Sequence, residues 1–187
     1  MTARMWMTAL LVCLPAGAET ITGYVDATPH KYVGKTVVYL RNAPHSKAPR
    51  NHLLDQKGMS FLPEVLAISV RDSVTFQNSD GVDHNVFSAD AESYDLGMFP
   101  KGAKRVRTFG KPGVYTQQCR MHPEMVAYIF VGPSAYSAVV DRDGTFTIEG
   151  VPPGSWTLAI WNPYLKASDQ KVTIASGGTA SARFELN

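Results

Sequence analysis

The chain has 187 residues, 44% of them hydrophobic, and 18 basic against 16 acidic side chains give a net charge of +2. That length allows one large or two small domains, and the near balance of charge argues against a nucleic-acid partner, which calls for a strongly basic face. Past the first stretch, no segment is apolar and long enough to cross a membrane.

Residues 1–18 read as a secretory signal peptide, with Arg4 as the positive start, an apolar core over 5–14 and Ala16-Gly17-Ala18 as the small-residue cleavage site. Two alternatives stand beside it. One is a membrane anchor, for which the apolar run is short; the other is a lipoprotein signal ending at Cys13, for which Val12 is bulky. Cleavage after Ala18 implies a periplasmic or secreted protein. It takes the 18 basic residues to 17 against 16 acidic ones and leaves Cys119 as the one cysteine. A lone cysteine in an exported protein is a free thiol, an intermolecular bridge or a metal ligand.

The remainder reads as all-β, in short runs of alternating polarity broken by Gly, Pro, Asn and Asp. Predicted strands cover 20–25, 36–40, 66–70, 73–77, 85–88, 104–109, 114–118, 126–131, 145–148, 156–161, 170–174 and 180–186. Asp143-Gly144 suits a hairpin, and Lys111-Pro112-Gly113 suits a turn. Such spacing belongs to sandwiches or barrels. Boundaries fall in the loop over 41–49, which has two prolines and no periodicity, and near Val131-Gly132-Pro133-Ser134.

Between those boundaries lies Cys119-Arg120-Met121-His122-Pro123-Glu124-Met125, and some 35 residues before Cys119 comes Asp83-His84-Asn85-Val86-Phe87. One thiolate, two imidazoles and a thioether form a donor set suited to copper: soft sulfur favours Cu(I), imidazole accepts both oxidation states, and a weakly held Met tunes the potential. Taken singly, each residue has a bland reading as core filling or a satisfied histidine. Zinc is the nearest competing metal, although structural zinc sites rarely use a thioether.

The segment 74–88 resembles the first-histidine region of cupredoxins of the plastocyanin and amicyanin type, and the Cys119-to-Met125 loop has the short amicyanin spacing. Tyr94-Asp95-Leu96-Gly97 and the 109–118 turn and strand also match, so the resemblance covers roughly residues 56–131. It implies a Greek-key β-sandwich holding one copper, with His84, Cys119 and His122 as close ligands and Met125 as the long axial one. It also implies that Asn85 braces the ligand loop by hydrogen bonds. Met121 precedes His122, whereas the family places its axial residue after it. His30, His45 and His52 read as solvated surface histidines, with a second metal site as the open alternative.

From Lys101 to Arg120 there are six basic residues, Lys101, Lys104, Arg105, Arg107, Lys111 and Arg120, and no acidic ones. Either they form a solvated strand face or they dock an acidic redox partner such as a cytochrome or a dehydrogenase.

The stretch 140–161 carries D-x-x-G-x-F-x-I-x-x-V-P-P-G-x-W-x-L and resembles the second half of a transthyretin-like, carboxypeptidase-regulatory-like β-sandwich. The opening strands that such a unit needs are missing just upstream, but 21–25 and 35–40 fit them. The expected architecture is therefore a cupredoxin over 50–133 inserted into, or flanked by, a sandwich built from 19–49 and 134–187. The alternative is that the N-terminal strands complete the cupredoxin. The pairing resembles proteins labelled methylamine-utilisation or plastocyanin-like.

Three functions follow. The first is an exported mononuclear blue-copper electron carrier, the second a periplasmic copper carrier or sensor without a redox role, and the third an enzyme. The enzyme reading is poor, because the chain lacks the H-x-H pairs that a trinuclear copper cluster uses.

Overall fold

The computed structural model describes residues 19–44, 47–90 and 92–187, so the expected signal peptide and His45 lie outside the described residues. Among the described residues, sixteen strands occur in chain order: β1 (Thr20–Ala27), β2 (Val37–Leu40), β3 (Asn51–Gln56), β4 (Phe61–Leu62), β5 (Val65–Ser69), β6 (Ser73–Asn78), β7 (His84–Ser88), β8 (Tyr94–Phe99), β9 (Lys104–Thr108), β10 (Gly113–Gln118), β11 (Val126–Gly132), β12 (Ser137–Val139), β13 (Thr145–Glu149), β14 (Gly154–Trp161), β15 (Gln170–Ile174) and β16 (Thr179–Leu186). A short 3-10 helix spans His30–Lys35.

The strands form four sheets, ordered β13-β1-β16, β12-β2-β14-β15, β5-β11-β10-β7-β8 and β4-β3-β6-β9. Three apolar cores separate them. Ile21, Val25, Val38, Leu40, Phe146, Leu158 and Phe184 meet between the first two sheets. Leu54, Phe76, Val86, Phe109, Tyr115, Cys119, Met125 and Ile129 meet between the last two. Val37, Tyr39, Val65, Phe130 and Ala159 join the middle pair.

The sequence explains which strands sit in the middle. Side chains alternate across a strand, so a strand buried on both faces reads as an unbroken apolar run. In β2, Val37 and Tyr39 face one core while Val38 and Leu40 face the other, and all four residues are buried. In β11, Ala127, Ile129 and Val131 face the cysteine-bearing core, and Phe130 with Tyr128 faces the junction. By contrast, the exposed residues of β13 alternate Thr145, Thr147, Glu149 with buried Phe146 and Ile148, as a strand with one wet face does.

Strands from the two ends of the chain pair with each other. β1 lies antiparallel to β13 and parallel to β16, and β2 pairs with β12 and β14. Among the described residues, Val37–Leu40 thus pairs with no strand of the cysteine-bearing pair of sheets. Gly23 is needed where β1 is crowded. A Cβ there would lie 2.2 Å from the Ala182 carbonyl oxygen and 2.5 Å from the Phe146 ring. Gly23→Ala is therefore expected to destabilise the protein by about 1–3 kcal/mol through overpacking, measured as a lowered midpoint in chemical denaturation.

Candidate metal centre

The last two sheets end in a cluster of loops that brings distant residues together. His84 opens β7, Cys119 follows β10, and His122 and Met125 lie in the turn leading to β11. The turn 79–83 ahead of His84 is organised by buried Asn78, whose side-chain amide donates to the carbonyls of Val82 (2.8 Å) and Phe99 (3.0 Å). The turn after Cys119 closes when the Met125 N–H donates to the His122 carbonyl at 2.9 Å.

Three donor atoms face one another there. Cys119 Sγ lies 3.9 Å from His84 Nδ1 and 3.8 Å from His122 Nδ1, and the two Nδ1 atoms are 3.2 Å apart. A point equidistant from all three lies about 2.1 Å from each, inside the span of about 2.0–2.3 Å that first-row metals take to imidazole nitrogen and thiolate sulfur. Among the described residues no other group of three His, Cys, Asp or Glu donors meets in this way. Soft sulfur beside two imidazoles suits copper, and a trigonal opening of this size fits a single ion.

Burial differs between the candidate ligands. His84 is 0% exposed, Met125 1% and Cys119 2%, whereas His122 is half-buried. Met125 belongs to the same apolar core as Cys119. Met121 lies outside that core and is 48% exposed. His122 is thus the one imidazole of the pair with a route to the surface.

Three polar contacts fix the imidazole and the loop. His84 Nε2 lies 2.9 Å from Asp80 Oδ2, so its far nitrogen is engaged and Nδ1 is left for a ligand role. Burial would raise the Asp80 pKa, but N–H bonds from Met59 and Gly58 and the His84 ring hold it below the usual carboxylate range. Asn85 Oδ1 accepts from the Arg120 N–H at 3.1 Å, and its amide donates to Asp95 Oδ1 at 2.7 Å. The bracing role implied for Asn85 has these two bonds as its physical form. Asp80 carried no sequence signal beyond sitting in a turn, four residues before His84.

The six-cation stretch does not form one patch. Arg120 pairs with Asp95 and Lys111 with Glu92, while Arg107 stacks 4.2 Å over the Tyr94 ring. Among the described residues that leaves four of the six, Lys101, Lys104, Arg105 and Arg107, without ion pairs; Lys101, Lys104 and Arg105, the last stacked 5.2 Å over the Phe99 ring, lie next to the Phe99 end of β8, which pairs with His84. His52 meets Asp72 at 2.9 Å, and among the described residues neither His30 nor His52 joins a group of three metal-type donors.

The chain is 31% identical over 78 residues to plastocyanin of Ulva arasakii, a match covering 36% of this chain and 80% of that protein, and it is equally similar to plastocyanin of Ulva pertusa. The chain belongs to the plastocyanin-like cupredoxins. Solved structures similar to this cupredoxin include a reduced mutant of amicyanin, 24% identical with a TM-score of 0.42, covering 52% of this chain and 98% of that one. A purple cupredoxin from Nitrosopumilus maritimus is 24% identical with a TM-score of 0.41, covering 43% and 99%. The copper-containing nitrite reductase of Thermus scotoductus is 30% identical with a TM-score of 0.42, and the match covers 46% of this chain but only 23% of that enzyme. Residues 134–182 match the family model described as polysaccharide lyase family 4, domain II. Those residues supply β12 to β15 and the start of β16, strands of a β-sandwich.

Proposed function

We propose that this cupredoxin is an exported mononuclear blue-copper protein that carries single electrons, with His84, Cys119, His122 and Met125 as its ligands. The observation behind this reading is the buried Nδ1–Sγ–Nδ1 triangle with one half-exposed imidazole at its edge. Copper bound there supplies one-electron exchange between Cu(I) and Cu(II). Cys119 would contribute the thiolate, His84 and His122 their Nδ1 nitrogens, and Met125, buried in the same core as Cys119, a weakly held thioether that tunes the potential. Asp80 orients His84, and Asn85 ties the ligand loop to β7. Because these residues sit at the ends of paired strands, little has to move when the charge changes.

Residues 50–133 form the copper unit in this reading, and 19–49 with 134–187 form the sandwich around it. Supporting the division, each pair of sheets encloses its own core. Electrons pass at the His122 edge, where exposed Met121 and Pro123 give an apolar rim and Lys101, Lys104 and Arg105 steer an acidic partner. Charge of this kind acts mainly on association rate.

The test mixes the Cu(II) protein with a reduced c-type cytochrome and, separately, with an apo copper acceptor. Rapid bleaching by the cytochrome, slowed by salt and by Pro123→Glu, supports the electron carrier. Metal handover with sluggish bleaching favours the copper carrier and overturns the relay. Asp80→Ala is expected to weaken copper affinity about 10–100-fold, because an outer partner holds the ligand's orientation; competition against a chelator measures it.

A further inference from the structure

Methionine is unevenly distributed in this chain. Of the seven methionines, three fall within the first seven residues, and the others are Met59, Met98, Met121 and Met125. All four of these sit at one end of one sandwich. The Met59 N–H donates to Asp80 Oδ2, the atom that also meets His84 Nε2. Met98 pairs across β7 and β8 with Asn85, beside the His84–Phe99 pair. Met121 lies between Cys119 and His122, and Met125 three residues beyond His122.

Their exposure sets three of them apart. Met59 is 39% exposed, Met98 54% and Met121 48%, whereas Met125 is 1%. Methionine is among the residues most often buried, so three wet thioethers at the end of the sandwich that holds the buried centre call for a reason. An apolar docking rim alone does not need sulfur; Leu62 and Val82, 48% and 49% exposed, would serve it. Thioether sulfur is polarisable and selects Cu(I) over harder ions. The centre itself has a problem that such sulfur solves. Three of its four proposed ligands are almost wholly buried, so an arriving ion must shed its carrier's ligands before it can reach them.

We propose that Met59, Met98 and Met121 form a Cu(I)-capturing rim through which the centre is loaded. The rim thioethers replace the donor's ligands one at a time, and Cys119, His122 and His84 then replace the thioethers. Copper enters and is seated as Cu(I), so no electron is exchanged. The Cys119 thiol gives its proton to solvent as its sulfur bonds the ion, and the donor keeps its own ligands. The inference rests on reading the His84–Cys119–His122 group as a copper centre.

The test compares the apo-protein with a Met59→Leu/Met98→Leu/Met121→Leu variant, which keeps the rim apolar and removes only sulfur. Uptake of Cu(I) from its bicinchoninate complex, followed without oxygen by loss of the complex's colour, is expected to be severalfold slower in the variant. Uptake of aqueous Cu(II), followed by growth of the thiolate band, is expected to be unchanged. A second measurement uses the Cys119→Ser protein labelled with 13C at the methionine methyls and titrated with Ag(I) as a soft monovalent probe. The methyls of Met59, Met98 and Met121 are expected to shift. Equal Cu(I) rates, equal slowing of both ions, or methyls unmoved by Ag(I) each overturn the rim. A wild-type protein that never develops a thiolate band with Cu(II) overturns instead the copper centre on which the rim depends.

Discussion

Cys119→Ser is expected to abolish the intense visible absorption of the Cu(II)-loaded protein outright, while the apo-protein stays folded. The band arises from charge transfer out of a thiolate, and a serine hydroxyl neither ionises near neutral pH nor offers soft sulfur. Serine is smaller and more polar than the buried cysteine it replaces. With Cys119 packed among Leu54, Phe76 and Met125, the fold should lose about 1–3 kcal/mol, the range for burying an unpartnered hydroxyl, without collapsing. Met125→Gln is the contrasting case. It keeps the thiolate and both imidazoles, so the colour persists and the reduction potential moves, because a weakly held thioether tunes the potential without making the band. Absorption spectra of the two variants at equal copper loading check the pair. Retained colour in Cys119→Ser would sink the ligand assignment.

The candidate metal centre was legible because its chemistry is compressed: Cys119 and His122 fall within four consecutive residues, and His84, which the structure brings to them, heads a strand that starts with His84-Asn85-Val86. Strands such as β6 and β10 were equally legible from alternation. Four strands were not foreseen. In β3, Leu53 and Leu54 are adjacent and Leu53 is 52% exposed, so the run lacks a period of two. β4 and β12 are two and three residues long, too short for a pattern. β8 contains Gly97 at φ 71° and faces an irregular register between Asn85 and Phe87, which breaks its alternation. Asp80 was invisible for another reason. Its role depends on Asn78 folding the turn back toward His84, and that contact is tertiary. The cation stretch misled because Asp95 and Glu92, which neutralise two of its members, precede it in the chain and reach it only through folding.

Phe130→Ala is expected to cost about 3–5 kcal/mol of stability, the range for removing a large aromatic from a packed core, and to leave the copper spectrum unchanged. Phe130 is 5% exposed, and its ring lies 4.7 Å from Tyr39 and 5.9 Å from Trp161. Those partners come from β2 and β14, strands of the flanking sandwich, so the lost contact is the one joining the two middle sheets. The neighbouring residues of β11, Ile129 and Val131, face the opposite way into the core that holds Cys119 and Met125. Strand geometry therefore separates the two effects: one face of β11 supports the centre, and the other supports the junction. Chemical denaturation followed by tryptophan fluorescence, with Trp161 reporting from the junction, measures the first quantity. The thiolate band of the same sample measures the second. If the band shifts or fades in step with the loss of stability, the flanking sandwich holds the metal centre in shape through β11, and the two faces of that strand do not act separately.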